Sequence, residues 1–375
     1  MKYSKTAERV RSWLFDTALP LWAAHGIDAS GLFHEKLDFA GQPDLASTRR
    51  MRVQARQLYV FAEAALMGWT PGRAIAERGM DRFVATCWQA DGQPGFVHLL
   101  TPDGRVANPL RDLYDHAFGL FALAAMHRLN GDPRARRMAE DLLAFLDRDW
   151  THEAGGYEEA LPGGTLPRRA NPHMHLLEAL LAWHGATGDA AYLGRANALI
   201  ELLKRHFFDP ATGTLTEFFD AGWQRATGAD GAVVEPGHHC EWAWLLVRAA
   251  ERGALDATME ARALYRFALQ HGIDGSGFAI DECDPQGRQT RTSRRSWPQT
   301  ELIKAHIAMA GIGEPGAALG AARVADGLLD SYLATDVPGL WMDQYDSAGK
   351  GITATVPAST FYHLTVAFKE VLERG

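Results

Sequence analysis

A spacing of about 62 residues runs the length of the chain and constrains its fold more than any single motif does, since a fixed period of this order marks a repeated structural unit. Arg56, His116, His175, His238, Glu301 and His363 each open or stud an apolar helical stretch, and they follow one another in steps of 60, 59, 63, 63 and 62. Each step holds two stretches of helical periodicity broken by Gly, Pro and Asp, and strand-like alternation is scarce. The pattern predicts helices near 4–24, 46–68, 71–88, 108–130, 133–148, 171–187, 189–207, 236–253, 256–271, 298–311, 315–333 and 358–372, which make six pairs. One helical hairpin cannot bury its own apolar face, so such units must pack on one another. Six hairpins closing into a ring give an all-α (α/α)6 barrel. No linker marks a second domain, and a single domain over residues 1–375 is expected.

The segments between the pairs share wording: Gly31-Leu-Phe-His-Glu, Gly95-Phe, Gly155-Gly-Tyr-Glu-Glu, Thr214-Leu-Thr-Glu-Phe-Phe, Gly277-Phe and Gly339-Leu-Trp-Met-Asp. Two H-x-x-E copies, His175 to Glu178 and His238 to Glu241, also repeat one such step apart.

Chemistry concentrates at the starts of the first helices. Glu235-Pro-Gly-His-His-Cys-Glu-Trp-Ala-Trp puts a breaker before a run too apolar for a surface helix. His238 and Glu241 are three apart and share a helical face, where a carboxylate can fix an imidazole tautomer and raise its proton affinity. Arg56 interrupts an apolar helix. It either reaches solvent with its tip or donates to substrate oxygens. Tyr114 and His116 head the next pair, and Tyr114 alone is ordinary packing. Asn171-Pro-His-Met-His starts a helix with an Asn cap and holds His173 and His175, for which a metal site is the alternative reading. Trp297, Gln299 and Glu301 stand at another Pro-marked start, where Glu301 also suits the helix dipole. His363 lies in the last helix. On a ring these side chains converge on one axial pocket, an inventory suited to proton transfer near neutral pH.

Several classes are disfavoured. The net charge of −8 is spread along the chain with no basic stripe, so neither nucleic acid nor an anionic membrane is an expected partner. Arg9, Arg11 and Asp16 interrupt the N-terminal segment, which argues against a signal peptide, and no apolar run is long enough to span a bilayer. Cys87, Cys240 and Cys283 are widely separated, which fits a reducing cytosol, and a cytoplasmic location is expected. Nothing resembles a phosphate loop or dinucleotide fingerprint. Glycoside hydrolysis would call for two facing carboxyls and usually no histidine base.

Taken together, Val53-Gln-Ala-Arg-Gln-Leu-Tyr, Leu113-Tyr-Asp-His-Ala-Phe, Asn171-Pro-His-Met-His-Leu-Leu-Glu-Ala, Glu235-Pro-Gly-His-His-Cys-Glu-Trp-Ala-Trp-Leu, Trp297-Pro-Gln-Thr-Glu and Phe361-Tyr-His resemble the N-acylglucosamine 2-epimerase superfamily of sugar epimerases and aldose–ketose isomerases. The resemblance implies an (α/α)6 barrel and an acid/base pair of His238 and His363. It also implies assistance from His175, support of His238 by Glu241, sugar contacts from Arg56 and Tyr114, and a lining of His116, Trp297 and Glu301; Gln299 joins that lining as a candidate. The implied chemistry removes the C2 proton of an open-chain aldose to give a cis-enediolate, with no metal and no other cofactor. Return of the proton to C1 gives a ketose, and delivery to the other face of C2 gives the epimer. Ser296 stands where oligosaccharide epimerases tend to carry a second Trp, which favours a monosaccharide and a mannose isomerase-like branch. The expectation is D-mannose and D-fructose, with D-lyxose and D-xylulose as a variant. Alternatives are a 2-epimerase, an isomerase of a 6-sulfo or 6-phospho sugar met by Arg294 or Arg295, a glycoside hydrolase on the same barrel, and a non-catalytic binding module. The sequence sets no oligomeric state, and a homodimer is allowed.

Overall fold

The computed structural model describes residues 4–163 and 166–374. Residues 1–3, at the start of the segment weighed as a leader, lie outside the described residues, as do 164, 165 and 375. The chain divides into two compact units, one made of residues 21–199 with 357–362, the other of 1–20, 200–356 and 363–375.

The first unit holds α2 (Met51–Leu66) with α3 (Pro71–Cys87), α4 (Leu113–Asn130) with α5 (Pro133–Asp149), and α6 (Ala170–Thr187) with α7 (Ala190–Leu202) as far as residue 199. The other holds α8 (Pro236–Glu251) with α9 (Thr258–His271) and α10 (Ser296–Gly311) with α11 (Ala317–Asp330). The N-terminal helix α1 (Ser4–Ser12, continuing through Trp13–Ala18) ties to α11 by Thr6 donating to Asp326 at 2.9 Å. It also packs Trp13 edge-on against Phe368 of α12 (Ser359–Arg374). The first helix of each pair is buried on nearly every face, which only an apolar or fully paired sequence tolerates. The second helices bury one stripe, as Ala135, Met138, Leu142 and Leu146 do in α5.

Helices expected from 46 and 108 begin instead at 51 and 113. The preceding residues are claimed by short strands: Arg49–Arg50 pairs with Leu99–Leu100, and Arg111–Asp112 with Ala160–Leu161. In the other unit Val234 bridges Cys283 and Arg294–Arg295 pairs with Gln344–Tyr345. These four helix entrances are thus stitched to the loop of the next repeat.

A second device clamps each loop onto its own helix. The fourth residue after the N-caps Arg50, Asp112, Arg169, Glu235 and Arg295 is Gln54, His116, His173, His239 and Gln299. Each accepts a backbone N–H from the preceding loop: Phe33 to Gln54 at 2.9 Å, Phe96 to His116 at 3.2 Å, Tyr157 to His173 at 3.1 Å, Leu215 to His239 at 3.2 Å, and Ala279 to Gln299 at 2.7 Å. The three imidazoles accept on Nε2 and face the carbonyl four residues back with Nδ1, so each is the neutral Nδ1–H tautomer. Burial pushes their pKa values down, to about 4 for His116 and about 3 for His173 and His239. Gly95, at φ +85°, makes room for this, because a Cβ there would lie 2.4 Å from His116 Nε2.

His116 and Gln299, expected by sequence in the site lining, have their polar atoms on backbone groups of the loop and of the helix entrance. The period list mixes positions: Arg56, His175 and Glu301 stand six residues after their N-caps, His238 three and His116 four. At about 100° per residue, positions three and six share a face and position four turns away from the sixth.

Candidate active site

Two residues beyond each clamped loop residue stand Glu35, His98, Glu159, Glu217 and Asp281. In three repeats the acid grips the arginine that caps the following helix. Glu35 accepts from the Arg50 backbone at 3.1 Å and from its guanidinium. Glu159 accepts from Arg169 N and Nε at 2.8 and 2.9 Å, and Asp281 from Arg295 N and Nε at 2.9 Å each. At α8 the N-cap is Glu235, an acid, and the loop carboxylate is used differently: Glu217 accepts from His238 Nδ1 at 3.0 Å.

That partner decides the charge of His238. Burial favours the neutral ring, but the carboxylates of Glu217, Glu235 and Glu241 outweigh it and the pKa is pushed up to about 10. His238 is therefore an imidazolium at neutral pH. The hydrogen bond of His238 Nδ1 goes to Glu217, because Nδ1 faces back toward the loop, and Glu241, the expected supporter, adds its charge to those that raise the His238 pKa.

His363 takes the same arrangement from another element, its Nδ1 donating to Glu301 Oε1 at 2.8 Å. The second oxygen of Glu301 lies 2.5 Å from Lys304 Nζ, whose ammonium is also 3.9 Å from Glu241. Trp297 stands between the two histidines, its ring centroid 5.1 Å from that of His238 and 5.6 Å from that of His363. The guanidinium of Arg295 covers the indole at 5.2 Å. Gly237 permits this packing, since a Cβ there would meet the indole at 2.6 Å.

In the unit of residues 21–199 and 357–362, Arg56 is buried in an aromatic cage. Its guanidinium lies 4.0 Å from the Phe118 ring centroid and 5.2 Å from that of Tyr362, and donates to Tyr114 Oη at 2.8 Å and to Ser359 O at 3.3 Å. His175 packs on Phe118 and Tyr114, with Nδ1 on Glu178 at 3.2 Å, and Tyr362 donates its hydroxyl to the same carboxylate. The H-x-x-E copy at 175–178 is thus a hydrogen-bonded pair, whereas the copy at 238–241 is not.

Both ring nitrogens of His173 face backbone groups, Tyr157 N and the Arg169 carbonyl, so His173 is not placed as a ligand beside His175. Glu241, Glu301 and His363 do bring three ligand atoms within 4.8 Å of one another, but the Lys304 ammonium already provides a cation there. What the sequence reading missed is Glu217 and Lys304. Glu217 was visible in principle: aligned with Glu35, Glu159 and Asp281, it is the loop acid whose helix begins with Glu235 in place of an arginine. Two buried imidazoles, each with Nδ1 on a carboxylate and one of them cationic, flank one indole, an arrangement chemically suited to giving and taking protons.

Known proteins resemble the chain over most of its length. The family model described as N-acylglucosamine 2-epimerase (GlcNAc 2-epimerase) matches residues 31–367. A mannose-6-phosphate isomerase of Rhizobium meliloti (strain 1021) is 37% identical over 97% of this chain and 96% of its own. A D-mannose isomerase of Thermobifida fusca is 30% identical over 72% of this chain and 70% of its own. Among solved structures, a cellobiose 2-epimerase from Bacillus thermoamylovorans B4167 superposes with a TM-score of 0.91 at 20% identity, covering 99% of this chain and 100% of that one. The fold is the all-α (α/α)6 barrel that the hairpin period predicts. No helix among the described residues is long and apolar enough to cross a membrane.

Proposed function

The chain belongs to the N-acylglucosamine 2-epimerase family, and on that premise we propose that it is a sugar isomerase interconverting D-mannose and D-fructose by histidine acid/base catalysis. The observation that carries the reading is the pair of carboxylate-tethered imidazoles flanking Trp297, one charged and one assigned as the base. His363 takes the C2 proton of the open-chain aldose while the His238 imidazolium protonates the carbonyl oxygen O1, giving a cis-enediol. His363 then returns its proton to C1 as His238 recovers one from the O2 hydroxyl, and the ketose leaves with both residues restored. Positioned acids and bases of this kind contribute about 10²–10⁴-fold each. Arg56, Tyr114 and His175 are proposed as sugar contacts, following the resemblance, and the enzyme is assigned to cytoplasmic carbohydrate metabolism.

A neutral hexose is favoured because the arginines that a 6-anion would call on are already paired: Arg294 with Asp274 at 2.7 Å, and Arg295 with Asp281 and Glu235 at 2.9 Å. The name of the 37% identical relative favours mannose 6-phosphate instead, and the ratio of kcat/KM for the two sugars decides between them. The resting imidazolium of His238 also suits a 2-epimerase, in which it would return a proton to the opposite face of C2. NMR of D-mannose with the protein in D2O separates the readings. Fructose, carrying at C1 whatever deuterium exchanges onto His363 before the proton is returned, supports isomerisation; glucose in its place replaces it with epimerisation; and mannose that stays both unconverted and unlabelled sinks both.

A further inference from the structure

We propose that Lys304 is a positioning residue that sets the orientation of His363 through Glu301; this rests on the reading of His363 as a proton-transfer residue. Lys304 lies in the interior of α10 and is fully buried, where a Leu or Met would be the ordinary occupant. Its ammonium and the imidazole of His363 share one carboxylate, an oxygen each: Glu301 Oε2 lies 2.5 Å from Nζ and Oε1 accepts from His363 Nδ1 at 2.8 Å. A carboxylate held by one oxygen against the Lys304 ammonium cannot swing away from the imidazole, so its other oxygen stays in place as the acceptor of Nδ1. An acceptor fixed at Nδ1 in turn fixes the ring tautomer and the aim of Nε2.

The ammonium is itself held from below. Nζ lies 3.9 Å from the ring centroid of Trp244, and the indole is locked by Nε1 donating to Glu370 at 3.1 Å. Arg248 anchors Glu370 at 2.6 Å. Glu370 belongs to α12, the helix that carries His363, so the chain of contacts from Arg248 through Trp244, Lys304 and Glu301 is tied at two points to one rigid element. The charged and titratable groups that face Glu301 and His363 within this unit include Lys304 from α10, and Glu241, Cys240 and His238 from α8, with the Trp297 indole between the histidines.

The test compares Lys304→Met, which keeps the length of the side chain and loses its charge, with Lys304→Arg, which keeps the charge. The expected result is a kcat lowered about 100-fold in Lys304→Met with KM within about threefold, and recovery of at least about tenfold of that loss in Lys304→Arg. The double variant Lys304→Met with Glu241→Gln removes one positive and one negative charge together. It serves where the single variant fails to fold, and the same loss of kcat is expected of it. Independently of turnover, NMR of protein carrying 15N-histidine, with His363 assigned by His363→Gln, should show its Nδ1–H resonance in the parent and in Lys304→Arg and its loss or displacement in Lys304→Met. A folded Lys304→Met or double variant with kcat within threefold of the parent overturns the proposal, as does an unmoved His363 resonance. If the parent turns over no sugar, the isomerase reading fails by itself, and the resonance alone decides the role of Lys304.

Discussion

The entrances of α8 and α10 are built to one plan and used for different ends. At α10 the loop acid Asp281 grips Arg295, the residue at the N-cap, and nothing remains for chemistry. At α8 the N-cap is Glu235, so the equivalent loop acid Glu217 has no arginine to hold and instead accepts from His238. One reversal of charge in a repeated frame turns a carboxylate that holds an arginine into the partner of a buried histidine, His238. The displaced role is filled from the neighbouring repeat, where Arg295 also donates to Glu235 at 2.9 Å. Within the same turn of α8 the contrast sharpens. His238 and His239 are adjacent in sequence and both buried, yet one has its pKa pushed up to about 10 and the other down to about 3. Burial alone does not set the proton affinity of an imidazole; the partner of Nδ1, a carboxylate or a carbonyl, does.

The largest effect should separate those two neighbours. His238→Gln and His363→Gln are each expected to lower kcat/KM about 10³-fold, within the range typical of a positioned acid or base. His239→Gln should stay within about fivefold of the parent, because an amide accepts the same loop N–H at that position in two other repeats. Steady-state turnover of D-mannose measures all three, and equal losses at 238 and 239 would erase the distinction drawn between them.

Glu235→Arg should make α8 resemble α10. The new guanidinium would draw Glu217 to itself, as Arg295 draws Asp281, and would set a like charge beside the imidazolium. The His238 pKa should fall from about 10 toward neutrality, and kcat/KM should drop about 10- to 100-fold as the acid is lost at working pH. An NMR titration of the His238 ring follows the first change and a pH profile of turnover the second. A His238 pKa that stays near 10 would mean that Glu217 is not shared in this way.

The clamp histidines and His238 should also pull stability in opposite directions with pH. His116, His173 and His239 have folded pKa values below the unfolded 6.5, so the unfolded chain binds more protons and stability is lost as pH falls from about 6.5 toward 3–4. At pH 5 each should cost about 2 kcal/mol relative to pH 8, the free energy of protonating the ring only in the unfolded chain. His238 is the reverse case: its contribution is complete below 6.5 and is lost as pH rises through about 10. Urea unfolding at pH 8 and pH 5 of the parent and of His173→Gln with His239→Gln measures the first trend. The double variant should lose less on acidification than the parent does.

The fold was legible in the sequence because hairpin repeats leave a period, and period survives even when no single residue is decisive. The helix ends at 51 and 113 were not, because Arg49–Arg50 and Arg111–Asp112 are turned into strands by partners in the loop of the next repeat. Trp297, His363 and Glu301 were found together because each sits at or near a Pro- or aromatic-marked helix start. His116 and Gln299 were drawn into the same list by residue type, although they point elsewhere. A one-dimensional period tolerates slips of two or three positions, and on a helix two positions reverse the face. Glu217 and Lys304 escaped for another reason: a lone loop acid and a lysine in an apolar run look like ordinary surface charges until their partners are known.

The smallest effect tests whether the clamp position is interchangeable, as its use of both Gln and His implies. Gln299 accepts from Ala279 N and donates to Ala279 O and Arg295 O, at 2.7, 2.8 and 2.9 Å. In Gln299→His the ring can keep two of these three bonds, Nε2 accepting from Ala279 N and Nδ1–H donating to the Arg295 carbonyl four residues back, as His239 does with Leu215 and Glu235. The lost bond to Ala279 O sets a penalty of about 1 kcal/mol at pH 8, where the ring is neutral in both states. At pH 5 the unfolded ring is protonated and the buried one is not, so the variant should fall behind the parent by about a further 2 kcal/mol. Matched urea curves at the two pH values read this directly. A penalty that does not grow on acidification would show that a histidine at this position does not bury itself neutral, and that the clamp of α10 differs from that of α8 in more than its residue.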